Sequence, residues 1–384
     1  MKHIVFFFLL FTIIRFGAEA QIDTQRHGNR FEQLGTTLRS PNVYRTASGA
    51  PGHEYWQQRA DYEIEVELND DNQSITGKEK VIYYNESPDP LDYLWLQLDQ
   101  NQRDKDSETP KIASSKIGPK MNLGQLEDII WHDMDLGLKI YSVTDANGKA
   151  IPATVNLTMM RLDLDQPLMP GEKFEFNIAW SFNSHDRTGF LATRPGYEYF
   201  EEDGNYIYTV AEWFPRMAVY SDFEGWQNKQ FVGRGEFALV FGDYKVAITV
   251  PSDHMVGATG VLQNPGDVLS QKEMDRWNQA RKSFDEPVVI RTQSEAEKLE
   301  KYVRRPSLTL VKQKEYLDFS CRKCKGLCLD LIQKVYLGCH GSSLRKWQRS
   351  NGHVLLCQGG KSTVGAIFYQ SGGAYFEILL FQNI

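Results

Sequence analysis

The chain has 384 residues, 50 acidic against 43 basic, for a net charge of −7. That length suffices for two or three domains with separate cores, and the negative balance excludes a general nucleic-acid binder, which needs a basic face against phosphates. Aromatic residues make up 12%, with 18 Tyr and 8 Trp, and flat rings suit pleated, half-buried strands, so the bulk is expected to be β.

The N-terminus opens with Met1-Lys2-His3, an apolar run from Ile4 to Ile14, and Ala18-Glu19-Ala20 before Gln21. This order of charge, apolar run and small residues predicts a signal peptide over 1–20 and export. A membrane anchor is the alternative, opposed by the shortness of the run and by Arg15 and Glu19 just after it. No later stretch is long and apolar enough to span a bilayer. Residues 21–54 are polar and without period, which predicts an extended arm.

From Tyr62 to Leu68 apolar and charged residues alternate strictly, so one face meets a core and the other water. Asn69-Asp70-Asp71-Asn72-Gln73 is turn chemistry, and Ile75 to Tyr84 alternates again, predicting a hairpin. Leu91 to Leu98 reads as a third strand and residues 100–124 as a long charged loop. Strand character returns at Leu138 to Val143, at Lys173 to Trp180 between turn pairs, at Tyr206 to Val210, at Phe237 to Phe241 and at Tyr244 to Val250. The one persuasive helix is Ser270 to Phe284, with Glu273, Arg276 and Lys282 as polar surface around Met274, Trp277 and Ala280. Further strand is expected near Val288.

Composition breaks near Lys301. Cys321, Cys324, Cys328, Cys339 and Cys357 all lie in the last 64 residues, with His340 and His353 among them. Thiolates and imidazoles at short spacing can enclose zinc, but the spacing fits a zinc knuckle only loosely. Export would favour oxidation, with one thiol of five left over.

Several of these segments resemble one family in combination. Gly77 after the Tyr62–Leu68 strand, Tyr93-Leu94-Trp95-Leu96-Gln97-Leu98-Asp99, Trp213-Phe214-Pro215-Arg216, and Gly235 through Pro251 followed by Val256-Gly257-Ala258-Thr259-Gly260 resemble the N-terminal β domain of aminopeptidase N-like zinc metallopeptidases. The resemblance covers about 55–300. It implies a mainly β fold, a saddle-like antiparallel β-sandwich, and in the intact family a zinc cofactor and peptide substrates. There a G-x-M-E-N-type strand and an H-E-x-x-H motif with a downstream Glu follow the β domain. This sequence contains no H-E-x-x-H; its nearest string, His53-Glu54-Tyr55-Trp56-Gln57, lacks the second His one helical turn on. No catalytic residue and no metal ligand is therefore expected in the chain.

The tail reads as a change of frame. Gly359 to Gln370 can be encoded by codons that, read one base on, give G-E-N-P-L-W-E-Q-Y-S-T. Leu317 to Gly341 likewise permits W-I-F-H-A-E-N-V-K-D-F-A and then W-D-A-M-G. Both strings resemble the family's junction and early catalytic domain, in the correct order. Residues 301–384 are then expected to replace the start of the catalytic domain, and their cysteine spacing to reflect codon usage.

The resemblance also implies an acidic or amide side chain upstream of the Phe-Pro position that helps hold a peptide's α-amine. Glu201, Glu202 and Glu212 are the candidates, since a carboxylate pairs with a positive amine. The run Glu201-Glu202-Asp203-Gly204-Asn205 fits a solvated acidic turn better than a binding site. Two functions remain: a truncated, exported peptidase homologue, inactive as written, or a stand-alone exported β-sandwich that binds peptide, glycan or protein.

Overall fold

The computed structural model describes residues 41–109, 120, 123, 135–187, 195–201, 205–232, 237–252, 254–283, 288–292, 294–295 and 298. Beyond these it describes the backbone course of six strands between 314 and 379. Contacts divide the chain into two units, Met1–Tyr55 and Trp56–Ile384.

Within the first unit, residues 41–55 form a looped segment. Arg45 bridges to Pro51, the Asn42 carboxamide accepts from the Tyr44 and Arg45 amides, and the Arg45 guanidinium lies 5.1 Å from the centre of the Tyr55 ring.

The second unit is mainly β, with mostly antiparallel sheets. Its strands are β1 (Arg59–Asn69), β2 (Ser74–Tyr84), β3 (Leu91–Gln97), β4 (Lys139–Asp145), β5 (Ala153–Asn156), β6 (Met159–Leu168), β7 (Lys173–Asn183), β8 (Gly196–Phe200) and β9 (Asn205–Val210). Short strands β10 (Arg216–Met217), β11 (Tyr220–Ser221) and β12 (Gly225–Trp226) lead to β13 (Gly242–Pro251), β14 (Met255–Ala258) and β15 (Val261–Leu262). Helices α1 (Pro265–Val268) and α2 (Gln271–Ala280) precede β16 (Val288–Arg291). The last segment supplies β17 (Lys314–Cys324), β18 (Leu329–Ile332), β19 (Leu337–Cys339), β20 (Val354–Gly359), β21 (Ser362–Ser371) and β22 (Ala374–Leu379).

The central sheet runs β15-β17-β13-β1-β2-β7-β4. The expected hairpin is present, Tyr62 facing Val81 and Leu68 facing Ile75. Alternation does what it predicts: Ala60, Tyr62, Ile64, Val66 and Leu68 are buried, while Glu63 and Glu65 point to water. Within this sheet one pairing departs from the antiparallel rule, since β1 pairs β13 in parallel with Tyr62 beside Tyr244. Gly77 of β2 faces Trp180 of β7 so closely that an added Cβ would lie 2.2 Å from the indole Cζ2. A second sheet, β10-β3-β6-β5, adds Leu94, Leu96, Met160 and Leu162 to the same buried cluster. Trp180, Trp213 and Phe214 fill the cluster ring against ring.

Four expectations change. The third strand ends at Gln97, one residue short of Leu98, and lies in a separate sheet from the hairpin, between β6 and β10. The start of the supposed charged loop is a 3-10 turn, Asp99–Arg103, with Asp99, Gln100, Asn101 and Gln102 buried. Phe237–Phe241 is not a strand: Phe241 makes an isolated bridge to Arg59, and the ladder starts at Gly242, where a Cβ would meet the Ala60 carbonyl oxygen at 1.5 Å. The helix begins as predicted, with Ser270 as N-cap and Glu273 closing a capping box. Glu273 is buried, however, because its carboxylate also pairs with Arg291 of β16.

In the last segment, β17 lies between β13 and β15 and β18 between β9 and β14. Cys321 and Cys324 fall on β17, Cys339 on β19 and Cys357 on β20. Cys328, His340 and His353 lie outside the described residues.

Candidate functional site

The 3-10 turn is buried because its amides satisfy main-chain groups of neighbouring loops, as buried polar groups must. Gln100 Nε2 donates to the Leu136 carbonyl at 2.9 Å. Asn101 Nδ2 donates to the Leu157 carbonyl at 2.8 Å, and its Oδ1 accepts from the Leu138 amide at 2.7 Å. The turn is thereby fixed, and it delivers Asp99, Gln102 and Arg103 to one place.

The opposite wall comes from the segment after β9. Glu212 has φ 59°, a left-handed backbone that a residue with a Cβ adopts at a cost of roughly 1–3 kcal/mol and that is found where surroundings impose it. Trp213 and Phe214, which follow, are fully buried and clamp the segment in the core. Gln102 Nε2 donates to Glu212 Oε2 at 3.2 Å. Arg103 Nη2 stands 3.7 Å from the same oxygen, with only 5% and 11% of the two side chains exposed, and its Nη1 donates to Gln100 Oε1 at 3.1 Å.

Arg216 of β10 sits beside Gln97 of β3 and pairs through Nη2 with Asp99. Burial alone would push this guanidinium down, but Asp99 first and Glu212 next hold it above the ordinary arginine range. Charges thus alternate through the site: Asp99, Arg216, Glu212, Arg103. The arrangement can hold a carboxylate in a fixed position, and an ammonium reaching Glu212 would share it with Gln102 and Arg103. Among the described residues it offers no nucleophile poised against a base.

The three acidic candidates are not brought together by the described structure. Glu212 belongs to the cluster, Glu201 is an exposed turn residue at the end of β8, and Glu202 lies outside the described residues. His53 and Glu54 are both well exposed. Among the described residues, no group of three or more His, Cys, Asp and Glu side chains is arranged to hold a metal ion, and the sequence lacks the family's His-Glu-x-x-His spacing. Sequence reasoning missed Asp99, Gln102, Arg103 and Arg216 as one cluster. The available signal was polar residues directly continuing a strand, Gln97 to Arg103, opposite an Arg that follows Trp-Phe-Pro.

No protein-family profile matches the chain, and no curated protein matches it. Among solved structures it is similar to an M1 zinc metallopeptidase from Deinococcus radiodurans, at 13% identity and a TM-score of 0.35, over 77% of this chain and 50% of that one. A variant of an M1 zinc metallopeptidase from the same organism, bound to a Tyr-Ser-Ala substrate, gives 13% identity and 0.36 over 77% and 51%. A two-domain M1 zinc metallopeptidase variant bound to L-tryptophan gives 12% and 0.36 over 79% and 53%. The chain spans about half the length of these structures. Overlap of this size assigns it no activity.

Proposed function

We propose that this chain is the exported N-terminal β part of an aminopeptidase N-like zinc metallopeptidase, read out of frame beyond about residue 300, and that Glu212 is its contribution to holding the α-amine of a peptide. The observation that carries the reading is the conformation of Glu212. Its left-handed backbone directly precedes Trp213-Phe214-Pro215-Arg216, the motif by which the sequence resembles that family, and its carboxylate is fixed by Gln102 and Arg103. Strain kept at a buried, positioned carboxylate is more economically explained by a ligand contact than by packing.

In the intact family zinc activates water, and a Glu acts as general base. No residue of this chain is assigned to that chemistry. What this chain's own residues supply is position: the 3-10 turn and the buried Trp213-Phe214 pair hold the Glu212 carboxylate in one place, where a free amine but not an acylated one would pair with it.

Sequencing the gene through and beyond the codons for 301–384 tests the reading first. A His-Glu-x-x-His string in the shifted frame supports it, and its absence from every frame ends it. With the frame restored, Glu212→Ala is expected to raise KM for aminoacyl-naphthylamides about tenfold, the effect of losing one charged hydrogen bond, with kcat less affected. An unchanged KM removes Glu212 from the role.

A further inference from the structure

The alternation of β2 turns Ile75, Gly77, Glu79, Val81 and Tyr83 toward the core. Glu79 is the exception in chemistry. It is 2% exposed, and both carboxyl oxygens are buried with no hydrogen-bond partner among the described residues. Register sets it between Ile64 of β1 and Ile178 of β7, neither of which can donate.

The titratable groups near it are two phenols. Tyr62 of β1 and Tyr244 of β13 stack 4.8 Å apart, and both are held above the ordinary phenol range, chiefly by burial and in smaller part by Glu79. The Tyr62 oxygen accepts from the Met217 amide at 2.9 Å. Arg216 of β10 reaches both phenols electrostatically but is paired with Asp99. From β7 the inward neighbours Ile178 and Trp180 carry no charge. No described cation pairs with Glu79, and burial pushes its carboxyl well above the usual range.

We propose that Glu79 is a pH-sensitive element of the central sheet: it packs as a neutral carboxylic acid and loosens the sheet when it ionises, so that the fold is tightest in mildly acidic medium. A charge at this position would have no water and no partner among the described residues, which a core cannot hold without opening. The sign follows from linkage. A carboxyl whose folded value lies above its unfolded value of about 4.3 contributes fully below that value, and the contribution is lost as pH rises toward the folded one. Over that interval the folded-to-unfolded ratio falls about tenfold per pH unit.

The test is urea unfolding of the full chain from pH 5 to 9, for the parent, Glu79→Gln and Glu79→Met. The parent should show the tenfold-per-unit decline over part of this range, and the variants should lose it. Glu79→Met carries the comparison if the Gln variant does not fold. In the infrared, a protonated-carboxyl C=O band should persist at pH 7 in the parent and vanish in the variants. Parallel pH profiles for the parent and the variants, or the absence of that band in the parent at pH 7, would overturn the proposal.

Discussion

Replacing Gly77 by Ala tests the packing at the centre of the main sheet. The new Cβ would lie 2.2 Å from Trp180 Cζ2 and 2.5 Å from Cη2, about 1.2 Å short of ordinary contact distance. Trp180 is fully buried, edge-on to Trp213 at 5.6 Å and stacked on Phe182 at 6.1 Å, so it can yield only by pushing on Trp213 and, through it, Phe214. Overpacking of this kind costs roughly 1–3 kcal/mol, and relief of glycine's backbone entropy in a strand returns about 0.5–1. Because the overlap exceeds 1 Å against a fully buried ring, the upper half of that cost applies, and the net loss should be about 1–2.5 kcal/mol, which for a domain of this size lowers Tm by roughly 2–10 °C. Thermal and urea unfolding followed by tryptophan fluorescence and near-ultraviolet dichroism would read it. Trp180→Phe removes the benzo atoms that clash, so the double variant should lose less than the sum of the single losses. A Gly77→Ala chain as stable as the parent, or strict additivity with Trp180→Phe, would refute the argument.

Two other changes have equally definite outcomes. Asp99→Asn leaves the buried Arg216 charge without its counterion and should cost about 3–5 kcal/mol in urea unfolding, with Arg216→Met on the same background recovering part of the loss. Burial pushes the Glu273 carboxyl up, but Arg291 and Ser270 outweigh it and hold the group below the usual range. The stability it gives is present above the unfolded value of about 4.3 and lost as pH falls through the lowered folded value. Protection against hydrogen exchange in α2, taken relative to the intrinsic rate at each pH, should therefore fall below about pH 4, and Glu273→Gln should remove that dependence.

Much of the local fold was legible because strand period and turn chemistry act over a few residues. The β1–β2 hairpin, β7, β9, β13 and the start of α2 after Ser270 all follow from neighbours in sequence. Gly77 was noticed for its resemblance to a family pattern, and the structure supplies the cause in Trp180 across the ladder. What the sequence hid depends on partners far along the chain. Nothing near Glu273 announces Arg291, and nothing near Asp99 announces Arg216, so a buried ion pair reads as surface charge. Glu79 was legible in principle, since strict alternation from Ile75 to Tyr83 assigns it to the inward face. Of the candidate site, Glu212 was named with Glu201 and Glu202 as a group, because position upstream of Phe-Pro does not reveal which carboxylate a 3-10 turn will meet.

The parallel pairing of β1 with β13 also sets an order of assembly. Tyr62 and Tyr244 are about 180 residues apart, whereas β1 and β2 are joined by a four-residue turn, so the hairpin can form long before its other edge is closed. At roughly 5–20 residues per second a chain emerging from its N-terminus would wait on the order of 10–40 s for β13. During that wait β1 presents a row of unpaired amides and carbonyls, the kind of edge that recruits strands from other chains. Its outward glutamates, Glu63, Glu65 and Glu67, put charged side chains on that edge strand, which discourages edge-to-edge pairing until β13 is made.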